Sequence, residues 1–172
     1  MKERIDPQFY RLHAPEAAPL LLGKLLCRRI DGEILRRRIT ETECYYSEKD
    51  TACHAHRGRT PRTDLLYRPG GIAYVYLCYG IHSLFNVITG EENFPEGVLI
   101  RGIEGCSGPG RVTRFLSIDR SLNGIDLITS DQLWIEDDGF RPRYRTDKRV
   151  GIGYASEEDQ NRPWRFILEE NS

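Results

Sequence analysis

The sequence predicts an α+β domain: a mostly antiparallel, curved β-sheet with a protruding β-hairpin and a few short helices. Asp31-Gly32 joins two β-rich runs at the spacing of a two-residue hairpin loop. Ile72 to Tyr79 and Ser83 to Thr89 form a second β-branched and aromatic pair around Gly80-Ile81-His82. Helical stretches are few and short, which favours antiparallel strands over a doubly wound sheet.

In chain order, Pro15 to Leu22 reads as a short helix that stops near Gly23, with Pro19 required to sit in its first turn. Lys24 to Ile30 and Glu33 to Cys44 are the strands of the first hairpin. On the second of them Glu41 and Glu43 project to one face, their α-carbons about 7 Å apart. Residues 47 to 71, rich in Gly, Pro, Arg and Thr, read as an extended loop, and so long an irregular segment in a small domain is functional or disordered. The second hairpin puts Tyr79 near its tip. Gly97 to Ile103 is a further strand, and Gly108-Pro109-Gly110 precedes a helix from Arg111 to Leu116. Short strands are expected at Leu133 to Glu136, Val150 to Tyr154 and Trp164 to Leu168. With no repeat, low-complexity tract or linker, residues 1 to 172 are read as one domain.

At 172 residues, 39% hydrophobic and 30% charged, the chain can bury a sizeable core and is too apolar for a disordered one. Its longest apolar runs, such as Ile72 to Leu77, fall far short of the roughly 20 residues that span a bilayer. The first residues, Met1 to Pro7, carry no apolar core of an export signal. Five cysteines without CxxC spacing fit reduced thiols, so a cytoplasmic protein is expected. Net charge is −1, yet Lys24 to Arg68 holds eleven basic against seven acidic residues, while acidic clusters lie at Glu91 to Glu96 and Asp131 to Asp138. Such a surface can hold an anion on one face, although on charge alone a mixed, solvated surface is the favoured reading.

The chain has no GxGxxG, GxxxxGK[ST], GxSxG or HExxH, which removes support for nucleotide cofactors, P-loop chemistry and simple zinc proteolysis. Cys53-His54-Ala55-His56 with Cys44 matches no usual zinc spacing, so no metal and no cofactor are expected. What remains is a combination: a carboxylate pair on a strand, His54 eleven residues after Glu43, then Tyr74, Tyr76 and Tyr79. Carboxylate and imidazole form a general acid/base set, and aromatic rings suit a flat heterocycle. Each element alone has a plainer reading: packed core tyrosines, a satisfied loop histidine, an exposed strand face.

In order and spacing these residues resemble the alkyladenine (3-methyladenine) DNA glycosylase family of base-excision repair. The matching segments include Ile39-Thr40-Glu41-Thr42-Glu43-Cys44-Tyr45, His54 with Arg59-Thr60-Pro61-Arg62, and Gly70-Gly71-Ile72-Ala73-Tyr74-Val75-Tyr76-Leu77-Cys78-Tyr79-Gly80. Asn86-Val87, Val98-Leu99-Ile100-Arg101, Gly108-Pro109-Gly110-Arg111 and Arg149-Val150-Gly151-Ile152 follow. The likeness runs from about residue 12 to 168.

The resemblance implies a monofunctional glycosylase that flips an alkylated or deaminated purine out of duplex DNA and hydrolyses its N-glycosidic bond. Glu43 matches the family's catalytic base, and Arg101 the arginine that helps hold the attacking water. Tyr45, His54 and Tyr76 match residues that enclose the flipped base, and Asn86 the one that rejects guanine by crowding its exocyclic amine. Tyr79 matches the residue that wedges into the duplex. Arg59, Arg62 and Arg111 are the candidate phosphate contacts. No lysine stands at a matched nucleophile position, so no strand cleavage is expected. The partner implied is double-stranded DNA containing damaged purines, met by a monomer with no membrane contact. The chain departs from the usual pattern at Cys44, at Thr63-Asp64 and along Arg111 to Phe115, none of which is a matched pocket residue.

Two rivals stay open on the residues themselves. One is a nucleic-acid-binding module without chemistry, against which a carboxylate facing a polyanion speaks. The other is a carbohydrate hydrolase using Glu41 and Glu43 as acid and base. That reading would gain from two carboxyls facing one cleft and a buried Tyr79.

Overall fold

A computed structural model describes residues 2–170. After β1 (Glu3–Arg4), helix α1 (Ala14–Leu21) leads into β2 (Leu25–Ile30) and the 14-residue β3 (Glu33–Tyr46). Asp31 and Gly32 both have positive φ, at 50° and 81°, the conformation of a tight hairpin whose twist suits its strands. A second hairpin follows, β4 (Ala73–Cys78) and β5 (His82–Ile88), then β6 (Glu96–Ile103) and β7 (Cys106–Ser107). Helix α2 (Pro109–Phe115), β8 (Leu133–Asp137), β9 (Tyr144–Asp147), helix α3 (Glu157–Asn161) and β10 (Arg165–Leu168) complete the chain.

The fold is α+β, with strands in the order β1-β8-β2-β3-β6-β5-β4 and every pairing antiparallel. The long β3 organises it. Its first half pairs with β2, from Leu25 opposite Arg38 to Ile30 opposite Glu33. Its second half pairs with β6 on one edge and with β10, across Glu41 to Glu43, on the edge that β2 has left. The register with β6 shifts on either side of Glu41, and such irregularities bend a strand and re-aim its side chains. Both carboxylates therefore sit where the sheet changes partners.

The core gathers Leu21, Leu26, Ile39, Phe85, Val87, Val98, Ile100 and Ile103 from the sheet and α1, with Val112 from α2 and Leu116 just after it. Helix α1 differs from expectation in that Pro19 lies inside it, past the first turn. With eight residues it has few internal hydrogen bonds to lose, and burial of Ala14, Ala17, Ala18 and Leu21 holds it in place.

Residues 47 to 71 are not an irregular loop. They contain 3₁₀ turns at His54–Arg57 and Asp64–Tyr67, and Cys53, Ala55, Leu66 and Tyr67 pack with Tyr74 and Ile88. Side chains supply the bonds a regular element would otherwise make: Asp50 accepts from the N–H groups of Tyr46 at 3.0 Å and Ala52 at 3.1 Å, and the Thr63 hydroxyl accepts from the Thr60 N–H at 2.8 Å.

The strand expected at Val150 to Tyr154 is absent. Val150 spends its N–H on the Glu43 carboxylate, Gly151 has φ 74°, and Ala155 closes a turn onto Ile152. The short β1, β7 and β9 and helix α3 were not anticipated. β9 is exposed along its length and carries no apolar alternation to announce it.

Candidate active site

Glu43 lies on β3 with no exposed surface. Its Oε1 accepts from the Tyr45 hydroxyl at 3.0 Å and its Oε2 from the Val150 N–H at 2.7 Å. Arg101, across the ladder on β6, places Nη1 3.5 Å from Oε1. Burial pushes the Glu43 carboxyl above its ordinary range, opposed by Arg101, the Val150 N–H, the Tyr45 hydroxyl and Arg149. Tyr45, Arg101 and Val150 all line one surface groove, so the carboxylate sits directly beneath its floor.

Glu41 does share the face of Glu43. Its Oε1 lies 3.5 Å from Arg101 Nε and accepts from Arg165 Nη1 at 3.0 Å. The two carboxylates therefore meet through arginine and not across an empty cleft.

Beside Glu43, an aromatic cleft brings together Tyr45, His54, Tyr76 and Asn86. The strand period explains part of this, since Tyr74 and Tyr76 are two apart on β4 and Asn86 faces Tyr74 on β5. His54 meets the Tyr76 ring edge to face at 4.5 Å, and its Nδ1 stands 3.1 Å from the Tyr74 hydroxyl. Burial, and then the charge of Arg62, lower the His54 pKa to about 4, so the ring is neutral at neutral pH. Asn86 is buried and donates Nδ2 to the Tyr74 carbonyl at 3.2 Å.

The groove continues from the cleft to Tyr79 and is flanked by Arg62, Arg111 and Arg114. Tyr79 stands at the hairpin tip, 91% exposed, with φ 52°. A bulky residue in the left-handed region is uncommon and clusters at functional sites. Arg59 does not line the groove. Its Nε donates to Asp64 at 2.8 Å and its guanidinium lies 5.0 Å from the Tyr67 ring. Arg59 and Arg68 hold Asp64 below the usual carboxylate range, so the acidic residue of that turn is already paired.

Three participants are residues to which the sequence assigns no role. Tyr154, 68% exposed with its hydroxyl donating to the Ala52 carbonyl at 2.8 Å, lines both cleft and groove. Val150 contributes a backbone group, which no side-chain pattern reveals. Arg149 is buried between the Tyr45 and Trp164 rings, 5.0 Å from each. Among the described residues no group of three or more His, Cys, Asp or Glu comes close enough to hold a metal ion. No helix among them is long and apolar enough to cross a membrane.

The family model described as methylpurine-DNA glycosylase matches residues 8–107 and 104–172. A relative from Borreliella burgdorferi (strain ZS7) is 42% identical over 181 residues, covering 97% of each chain. One from Psychrobacter cryohalolentis is 41% identical over 183 residues, covering 89% of this chain and 86% of the relative. A third, from Desulfitobacterium hafniense, is 39% identical over 197 residues, covering 98% and 97%. All three bear the name "Putative 3-methyladenine DNA glycosylase".

Proposed function

This chain belongs to the methylpurine-DNA glycosylase family, and from that premise we propose that it excises alkylated or deaminated purines from duplex DNA by Glu-activated hydrolysis, leaving an abasic site. The observation that carries the reading is a fully buried carboxylate beside an aromatic cleft, with an arginine and a backbone N–H against it.

A purine cannot reach the cleft from within a stacked duplex, so the nucleotide rotates out and its base enters between Tyr45, His54 and Tyr76. Tyr79 fills the gap from the hairpin tip. With the base in the cleft, C1′ of the deoxyribose faces the groove floor. A water held at Arg101 attacks C1′ as the bond to the base nitrogen breaks, and the bonding pair leaves with the base. The water's proton passes to Glu43, and its oxygen remains on C1′. A carboxyl raised by burial is a better acceptor for that proton than an ordinary one. Its negative charge also stabilises the oxocarbenium-like sugar. In the nucleotide, 3-methyladenine and 7-methylguanine are already cationic, so their departure needs little further help. Hydrolysis through water forms no covalent link to the protein, and strand cleavage does not follow.

The rivals find no support in the geometry. Glu41 is engaged by Arg101 and Arg165, and Tyr79 is exposed, both contrary to what the carbohydrate hydrolase requires. A pure binder has no use for a buried carboxylate under its contact surface. Duplexes carrying 3-methyladenine, 7-methylguanine, hypoxanthine or ethenoadenine, treated with alkali after incubation, test the proposal. Release of at least one base without strand breaks before alkali is the expected result. No release from any of them would contradict it.

A further inference from the structure

Arg165, Glu41, Arg101 and Glu43 alternate in charge across three strands, and their separations are unequal. Glu41 has a close partner in Arg165 at 3.0 Å, whereas Arg101 stands 3.5 Å from Glu41 and 3.5 Å from Glu43. A charge-assisted hydrogen bond is about 2.7–2.9 Å long, so Arg101 is committed to neither carboxylate. Its Nε, buried, finds no hydrogen-bond partner among the described residues. Arg165 is itself anchored, with Nη2 3.0 Å from Asp147 and Nε 2.7 Å from the Lys148 carbonyl. Glu41 is thus held by an anchored Arg165 and draws on Arg101 at Nε, whereas Glu43 is nearest Nη1.

We propose that Glu41 is a positioning residue that holds the Arg101 guanidinium back from Glu43, leaving Glu43 the stronger base. The proposal rests on the reading of Glu43 as the base. With Glu41 neutral, Arg101 would close on Glu43, stabilise its charged form and make it a weaker proton acceptor. Glu41 lies at the re-registered point of β3, and its carboxylate reaches the same guanidinium as that of Glu43.

The other groups facing Glu43 stay fixed in this comparison. They are Tyr45 on β3, Tyr76 on β4, Arg165 opposite Glu43 on β10, and Arg149, the Val150 N–H and Tyr154 on the segment between β9 and α3.

The experiment is a ¹³C NMR titration of the Glu43 carboxyl in DNA-free protein, wild type against Glu41→Gln, paired with pH profiles of single-turnover base release. Glu41→Gln should lower the titration midpoint by about one unit, move the acid limb of the profile the same way and slow release only a few-fold at neutral pH. A mere loss of packing would lower the rate at every pH and leave the midpoint in place. Arg165→Gln, which frees Glu41 to draw more fully on Arg101, should shift the midpoint upward and serves if the first variant does not fold. An unchanged or raised midpoint in folded Glu41→Gln overturns the proposal, as does an unchanged or lowered one in Arg165→Gln. If the midpoints move as expected but Glu43→Gln still releases base, the reading of Glu43 as base fails while the positioning relationship stands.

Discussion

Asp50 and Arg149 form a buried ion pair, with carboxylate oxygens 2.7 Å and 3.0 Å from the guanidinium and both side chains at most 1% exposed. Arg149 also donates to the carbonyls of Cys44 and Asp159. The residue that follows it gives its N–H to Glu43, and the ring beside it is Tyr45, which gives Glu43 its hydroxyl. One buried pair therefore sets two of the contacts around the carboxylate.

Asp50→Asn would leave Arg149 buried without its counter-charge, and breaking such a pair costs about 3–5 kcal/mol. Urea unfolding should show a loss of that order. A change within about 0.5 kcal/mol, typical of a surface substitution, would mean the pair does not hold the segment.

Tyr79→Ala should weaken duplex binding and slow base extrusion, because unstacking costs a few kcal/mol per step and the gap would go unfilled. Lesions in mismatches or single strands should suffer less than those in intact pairs. Normal extrusion in the variant, read from a fluorescent base analogue, would remove Tyr79 from that task.

Among the arginines, Arg62 and Arg111 flank the groove, whereas Arg59 is paired with Asp64 outside it. Arg111→Ala should lower affinity for damaged and undamaged duplexes alike and make the salt dependence shallower by about one phosphate's worth. Arg59→Ala should change that slope less. Equal changes in slope would return Arg59 to the phosphate contacts.

The pocket histidine carries a pH signature. Its pKa, lowered from 6.5 to about 4 by burial and Arg62, means that the unfolded chain binds the proton first as pH falls. The stability it contributes is present above pH 6.5 and is lost as pH falls towards 4. Glu43 and Glu96, whose pKa values are raised, act in the opposite sense. The difference between wild type and His54→Gln therefore isolates the histidine. Urea midpoints should show the variant losing less stability than wild type between pH 7.5 and 4.5, and equal losses would contradict the assignment.

Much of this was legible in the sequence because it rests on local chemistry. Asp31-Gly32 fixed one hairpin, Tyr79-Gly80 the tip of another, and strand period put Glu41 and Glu43 on one face. The segment from 47 to 71 was not legible, since its order comes from side-chain bonds to its own backbone and from packing under β4. The turn at Val150 was missed because a β-branched, glycine-punctuated run reads as a strand until the partner for its N–H is known. Helix α3 had a signal, Ser156 three residues before Asp159, whose N–H the serine hydroxyl caps. The four cleft residues were found through family resemblance, while Tyr154 and Arg149 emerge only from the folded chain.

The most direct test of the whole account is single-turnover base release by Glu43→Gln, which keeps the side chain's shape but cannot accept a proton. The rate should fall by roughly 10²- to 10⁴-fold, the range for a lost general base, with binding to lesion-bearing duplex retained. In wild type the acid limb of the same profile should lie above the pH of an ordinary carboxylate, since burial raises Glu43 and release fails as that group is protonated. A Glu43→Gln protein that binds damaged DNA and still releases the base at near wild-type rate would contradict the account.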